Sequence, residues 1–161
     1  MMTQIWHALV EVLGRSFIWL RDVSDFPSNM SLERFIKAQE KTYEGALAEL
    51  KAGAKTGHWI WWIFPQKKGL GTSDNSTYYG LSGVSEARAY LKHSVLGPRY
   101  RECVAVVHHQ LLHEKIPPLE LMGGETDLLK LGSSLEIFLA AAPPTDESFR
   151  AQAQAILKVL G

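Results

Sequence analysis

The chain has 161 residues, 46% hydrophobic and 21% charged, with 17 basic side chains balanced by 17 acidic ones. That length accommodates one domain with a sizeable core, and a zero net charge offers no global field to draw in nucleic acid or an anionic membrane surface. No apolar run approaches the roughly 20 residues that cross a bilayer, the first residues lack the pattern expected of a secretory signal, and the single cysteine, Cys103, cannot close an internal disulfide. A cytoplasmic protein is expected, with neither nucleic acid nor membrane as partner.

Residues before Asp25 read as an amphipathic helix, because Trp6, Leu9, Val10, Leu13, Phe17 and Leu20 fall on one face at helical spacing. Residues 22–29, with Pro27, read as a linker, so a helical domain spans residues 30–161. Residues 1–29 are then either an accessory helix or the product of a misplaced translation start. As a helix, their stripe is too large to leave exposed and would cover the domain or join a homodimer through residues 3–20.

From Ser31 as N-cap a helix is expected to residue 52, with Gly53 as its terminator. Leu32, Ile36, Tyr43, Leu47 and Leu50 form its stripe, and Gln39 projects into the middle of it. A buried amide left unpaired costs about 1–3 kcal/mol, so Gln39 needs a partner. Either a backbone group takes it and pins a loop, or Gln39 and Tyr43 line a pocket.

The run His58-Trp59-Ile60-Trp61-Trp62-Ile63-Phe64-Pro65-Gln66-Lys67-Lys68-Gly69-Leu70-Gly71 follows, with three of the five tryptophans inside four residues. Pro65 disfavours helical geometry at Phe64, which limits the apolar piece to a short helix or a strand. Beyond it, Ser73 or Thr72 caps a short helix through Tyr79, and Ser85 caps one over residues 86–93. Pro98 suits the first turn of a long helix to about residue 115, with Tyr100, Val104, Val107 and Leu111 on its core face. Thr126 caps a helix over residues 127–141, and Ser148 opens the last one. Nothing alternates with period two for long enough to demand a sheet. The fold class is all-α: a compact single-domain multihelical array around a short central Trp-rich segment.

The order Phe35, Ala38-Gln39, Tyr43 and Ala46 to Leu50, then Lys55, His58-Trp59-Ile60-Trp61, Ile63-Phe64-Pro65-Gln66 and Gly69-Leu70-Gly71, resembles domain-of-unknown-function family 1810. Tyr78-Tyr79, the stretch from Glu86 to Leu91, His93, Val95-Leu96-Gly97, Asp127, Lys130-Leu131, Ser133-Ser134 and Phe138 extend the resemblance across nearly everything from Met30 onward. It implies a compact multihelical fold and no established activity; members are often mislabelled calpastatin, a name this apolar composition does not support. Ser94 stands where relatives usually carry proline, and the chain stops short of an expected glycine- and aspartate-containing tail.

The chemistry the residues can carry lies at the two ends of the central run. His58 is a candidate acid or base, set against a core histidine satisfying a carbonyl. Trp59 can offer a stacking face. Gln66, Lys67, Lys68, Gly69, Gly71 and Ser73 have the parts of an anion loop, two cations and backbone amides freed by glycine, yet match neither a Walker loop nor a dinucleotide fingerprint. Asp127, Lys130 and Ser134 share one side of a helix, either as packing polar groups or as a carboxylate and an ammonium at a pocket edge. His109 and His113 are one turn apart but lack a third ligand, so no metal is expected, nor any cofactor. Cys103 reads as a packed thiol.

The reading that joins these features is a domain that binds a phosphorylated or nucleotide-like small molecule, with phosphate or ribose, in a pocket beside the central run. One alternative is a glycosidase-type enzyme on an N-ribosyl or ADP-ribose derivative. The helical make-up and the run from His93 and Leu96-Gly97-Pro98 to Asp127 distantly resemble the glycosidase family around the YbiA protein, a likeness that transfers no individual residue. On the enzyme reading Asp127 orients water or stabilises positive charge developing on the sugar, with Lys130 beside it and His58 as the candidate acid or base. The other is a protein-interaction or dimerisation module.

Overall fold

The computed structural model describes the chain from residue 26 onward, with side chains from residue 32. The apolar stripe of residues 6–20, and the homodimer contact expected through residues 3–20, lie outside the described residues. The chain divides into two compact units, Met1–Glu33 and Arg34–Gly161. Among the described residues there are nine α-helices and no strand, which is the all-α class expected. They are α1 (Phe26–Glu40), α2 (Tyr43–Lys51), α3 (Ile60–Ile63), α4 (Asp74–Tyr79), α5 (Val84–Lys92), α6 (Leu96–Leu112), α7 (Pro118–Met122), α8 (Glu125–Ala141) and α9 (Glu147–Leu160). None of them is long and apolar enough to cross a membrane.

Helix α6 is the packing axis, against α2, α5, α7 and α9, while α8 lies on α5, α7 and α9. Its predicted face holds: Tyr100, Val104, Val107 and Leu111 are buried. The centre of the core is made of tyrosine and phenylalanine, not tryptophan. Tyr100 sits 4.0 Å from Phe138 between ring centroids, and Tyr90 meets Phe35 and Phe138 edge-on at 5.2 Å each. Both tyrosines are fully buried, so each hydroxyl must find a partner inside. Tyr100 Oη pairs with Ser134 Oγ at 2.9 Å, and Tyr90 Oη accepts from Gln39 Nε2 at 2.9 Å.

The central run becomes the four-residue helix α3, stopped at Phe64 (φ −122°, ψ 69°) because Pro65 excludes helical geometry there. Helices this short leave most of their carbonyls without an internal donor. That of Trp62 is taken from outside, by Gln39 Nε2 at 2.8 Å and by the Tyr90 hydroxyl at 3.4 Å. Trp62 also donates its indole N–H to Thr42 Oγ1 at 2.9 Å.

Several expected boundaries move. The single helix from Ser31 is two, since α1 already begins at Phe26 and ends at Glu40. Pro27 lies in its first turn, where a missing N–H costs nothing, and Ser31 lies inside the helix and is not its cap. The break falls where Thr42 Oγ1 donates to the Ala38 carbonyl at 2.6 Å, the acceptor a continuing helix would give to the backbone N–H. Ser85 does not cap α5; Glu86 reaches back to the Ser82 N–H at 2.7 Å instead. Helices α8 and α9 each begin one residue before the expected Thr126 and Ser148 caps, after Gly124 and Asp146.

Replacing Gln39 by leucine removes both donors that Gln39 supplies and leaves buried polar groups short of a partner. The expected loss is about 1–3 kcal/mol, read as a lower urea midpoint with an unchanged slope; an unchanged midpoint would contradict this role.

Candidate functional site

The loop between α2 and α3 is built around one carboxylate. Glu49 Oε2 accepts from the backbone N–H of Thr56 (2.8 Å) and Gly57 (2.9 Å) and from Trp59 Nε1 (2.8 Å). Burial raises the proton affinity of Glu49, but the three donors outweigh it and hold the carboxyl below its ordinary value. On the other side the Lys55 N–H donates to the Leu121 carbonyl at 2.8 Å. There Gly123 is required twice over: its φ is +73°, and a Cβ would come 2.8 Å from the Lys55 carbonyl oxygen.

This scaffold turns Lys55 inward. Its side chain is 6% exposed, and its ammonium meets Asp127 Oδ2 at 2.5 Å and the Gly57 carbonyl, 4.9 Å from the centroid of the Trp59 ring. Asp127 is in the first turn of α8, where a carboxylate is favoured by the helix dipole. Its other oxygen is 3.3 Å from Lys130 Nζ, and that ammonium lies 4.6 Å over the Trp61 ring. Two largely buried lysine side chains thus share one carboxylate, each ammonium against an indole face. The Trp61 N–H is buried without an acceptor among the described residues, at a cost of about 1–3 kcal/mol.

The predicted site residues fall in four places. Asp127, Lys130 and Trp59 come together as just described, and His58 is adjacent to them in the chain but exposed. Gln39 and Tyr43 belong to an internal network. Gln39 Oε1 accepts from Arg99 Nη1 at 3.4 Å, that guanidinium lies 4.6 Å over the Tyr43 ring, and Tyr43 donates to Glu102. Burial, followed by the bond to Glu102, pushes the Tyr43 phenol well above its ordinary range. Ser134 is not at an edge with Asp127 and Lys130 but 0% exposed, bonded to Tyr100. The azimuth on α8 is shared, yet two turns further along the helix has entered the core. Gln66 to Ser73 form a separate loop: Gln66 is buried, Lys67, Lys68 and Gly69 are exposed, and Gly71 lies against Ser76. Ser73 caps α4 by accepting from Ser76 N at 3.1 Å.

Lys55, Glu49 and Trp61 were not among the expected site residues. The signal for Lys55 was a cation four residues ahead of a tryptophan; its pairing with Asp127, 72 positions later, needed the fold. Elsewhere, a groove of about 630 Å³ runs between the end of α2 and α6, lined by Lys51, Glu102, Val106, His109, Glu114 and Ile116 among others. It contains none of the predicted site residues, and its charges are already paired, Lys51 with Glu102 at 3.8 Å and His109 with Glu114 at 3.1 Å. His109 stacks on His113, and among the described residues no group of three or more metal-ligating side chains is present. Burial pushes the Cys103 thiol up to about 12, so it is a packed thiol at neutral pH.

A family model described as a protein of unknown function, DUF1810, matches residues 29–158, and the chain belongs to that family. The crystal structure of the conserved hypothetical protein Rv1873 from Mycobacterium tuberculosis is similar, with 39% identity and a TM-score of 0.70 over 79% of this chain and 84% of that one. No curated protein matches the chain significantly.

Because the folded-state affinity of Glu49 for a proton is depressed, its ionised form stabilises the fold above the unfolded value, and that contribution is lost as pH falls through the folded value. Wild type should therefore exceed Glu49→Gln in stability at pH 7, and the gap should close as pH drops below 4.5. Chemical denaturation across that range checks it; a gap independent of pH would contradict it.

Proposed function

We propose that this protein binds a small anionic molecule carrying a flat ring, of phosphorylated or nucleotide-like chemistry, on the face formed by Lys55, Asp127, Lys130, Trp59 and Trp61. The observation that carries the reading is the charge arrangement: two largely buried lysine side chains hold their ammonium groups against indole rings, with one carboxylate between them. The nearby carboxylate of Glu49 is turned toward three N–H donors of its own loop. An arriving phosphate or carboxylate therefore meets positive charge that Asp127 only half compensates, in surroundings where screening is weak. A flat ring gains from the Trp61 indole that Lys130 now covers, while Trp59, 4% exposed, backs the face from the core. His58, exposed beside Trp59, is a polar contact at the rim.

The glycosidase alternative asks Asp127 to face positive charge developing on a sugar. Both carboxylate oxygens are already engaged, Oδ2 by Lys55 and Oδ1 by Lys130, which favours a binding role over a catalytic one.

A thermal-shift panel of nucleoside phosphates and sugar phosphates tests the reading, since a ligand that binds only the folded state raises the melting temperature. At least one member should stabilise wild type at millimolar concentration. Lys130→Met, which keeps the aliphatic stem on Trp61, should bind that member about tenfold or more weakly. The absence of any stabilisation, or equal binding by the variant, would count decisively against it.

A further inference from the structure

Gln66 is a separate observation. It ends the central run directly after Pro65 and is 8% exposed. Its backbone carbonyl accepts from the Leu81 N–H at 2.9 Å, but its carboxamide has no hydrogen-bond partner among the described residues. The amide nitrogen lies 3.6 Å from the point a Cβ would occupy on Gly71, and Ser76 Oγ lies 2.5 Å from that same point. The side chain is therefore turned into the bend of the 67–73 loop. Neither carboxamide atom of Gln66 is among the fully buried unpaired atoms of the described residues, so the amide edge reaches solvent and is free to donate to something that arrives there.

The two residues that follow it in the chain are basic. Lys67 and Lys68 are exposed, and Asp74, also exposed, is the one acidic side chain between residues 66 and 76. The backbone is fixed from both sides: Lys68 N donates to the Leu81 carbonyl at 2.8 Å, and the Ser73 and Ser76 hydroxyls bond at 3.0 Å. Gly69 adopts φ +93°, which lets the chain reverse around the amide.

We infer that the 66–73 loop holds a second oxyanion site, in which the Gln66 carboxamide donates to a phosphate-type oxygen and Lys67 and Lys68 supply the charge. Helix α4 contributes no free N–H of its own at Ser76, because Ser73 Oγ already accepts it. The ligand class is a small, multiply charged oxyanion, either free phosphate or the terminal group of a phosphate monoester. This site rests on Gln66 and not on the Lys55–Asp127–Lys130 face, so either can fail alone.

The test is a heteronuclear NMR titration of the full chain at constant ionic strength, with inorganic phosphate in one arm and glycerol phosphate in the other. Saturable shifts are expected at the Gln66 side-chain amide and at residues 67–71, and the tighter arm identifies the source. Gln66→Glu should weaken binding about tenfold or more by setting a carboxylate against the anion. Gln66→Met should weaken it several-fold without lowering the melting temperature, because no hydrogen bond within the protein is lost. Lys67→Glu/Lys68→Glu alters only exposed side chains and should also weaken binding, which keeps the question open to test should a Gln66 variant misfold. Shifts that stay linear in both arms, or wild-type affinity in Gln66→Met or in the lysine variant, would overturn the site.

Discussion

One backbone carbonyl organises much of this fold. Helix α3 is a single turn, too short to satisfy its own polar groups, yet it stands among aromatic side chains where an unpaired carbonyl is expensive. Gln39 from α1 and Tyr90 from α5 both reach the Trp62 oxygen, so a segment with little helical stability of its own is fixed by two distant helices. Arg99 on α6 then holds the remaining oxygen of Gln39, which ties the packing axis into the same network. Glutamine suits this position because it donates and accepts at once, and each of its polar atoms is used.

Fixing α3 also fixes what its tryptophans present. Trp62 turns toward Thr42 and Tyr79, while Trp61 turns toward α8 and lies under Lys130. Trp59, one residue before the helix, is held by Glu49 and covered by Lys55. The tryptophans therefore serve as the wall between an aromatic core made of other residues and a face where charge collects. Trp61 carries the cost of that arrangement in its unpaired N–H.

The all-α class, the face of α6, the halt at Pro65 and the Ser73 cap were legible in the sequence, because local periodicity, proline stereochemistry and capping chemistry decide them. The split between α1 and α2 was not. Neither glycine nor proline marks it, and it depends on a threonine that bonds the preceding turn while accepting from Trp62, 20 residues away. Candidate site residues were legible as chemistry but not as groups. Asp127, Lys130 and Ser134 share an azimuth on one helix, and only the depth to which α8 enters the core separates the first two from the third. Lys55 stood in the family motif but was not read as a site residue, because a lone lysine in a loop carries no charge pattern until Asp127 is set against it.

The central claim is that the Trp61 indole under Lys130 receives the ring of an anionic ligand. Tryptophan fluorescence during a titration with adenosine monophosphate reports on that surface most directly. Saturable quenching is expected in wild type and should disappear in Trp61→Phe while the fold, followed by circular dichroism, is retained. Quenching of equal size and midpoint in both proteins, or none at millimolar nucleotide, would contradict the account.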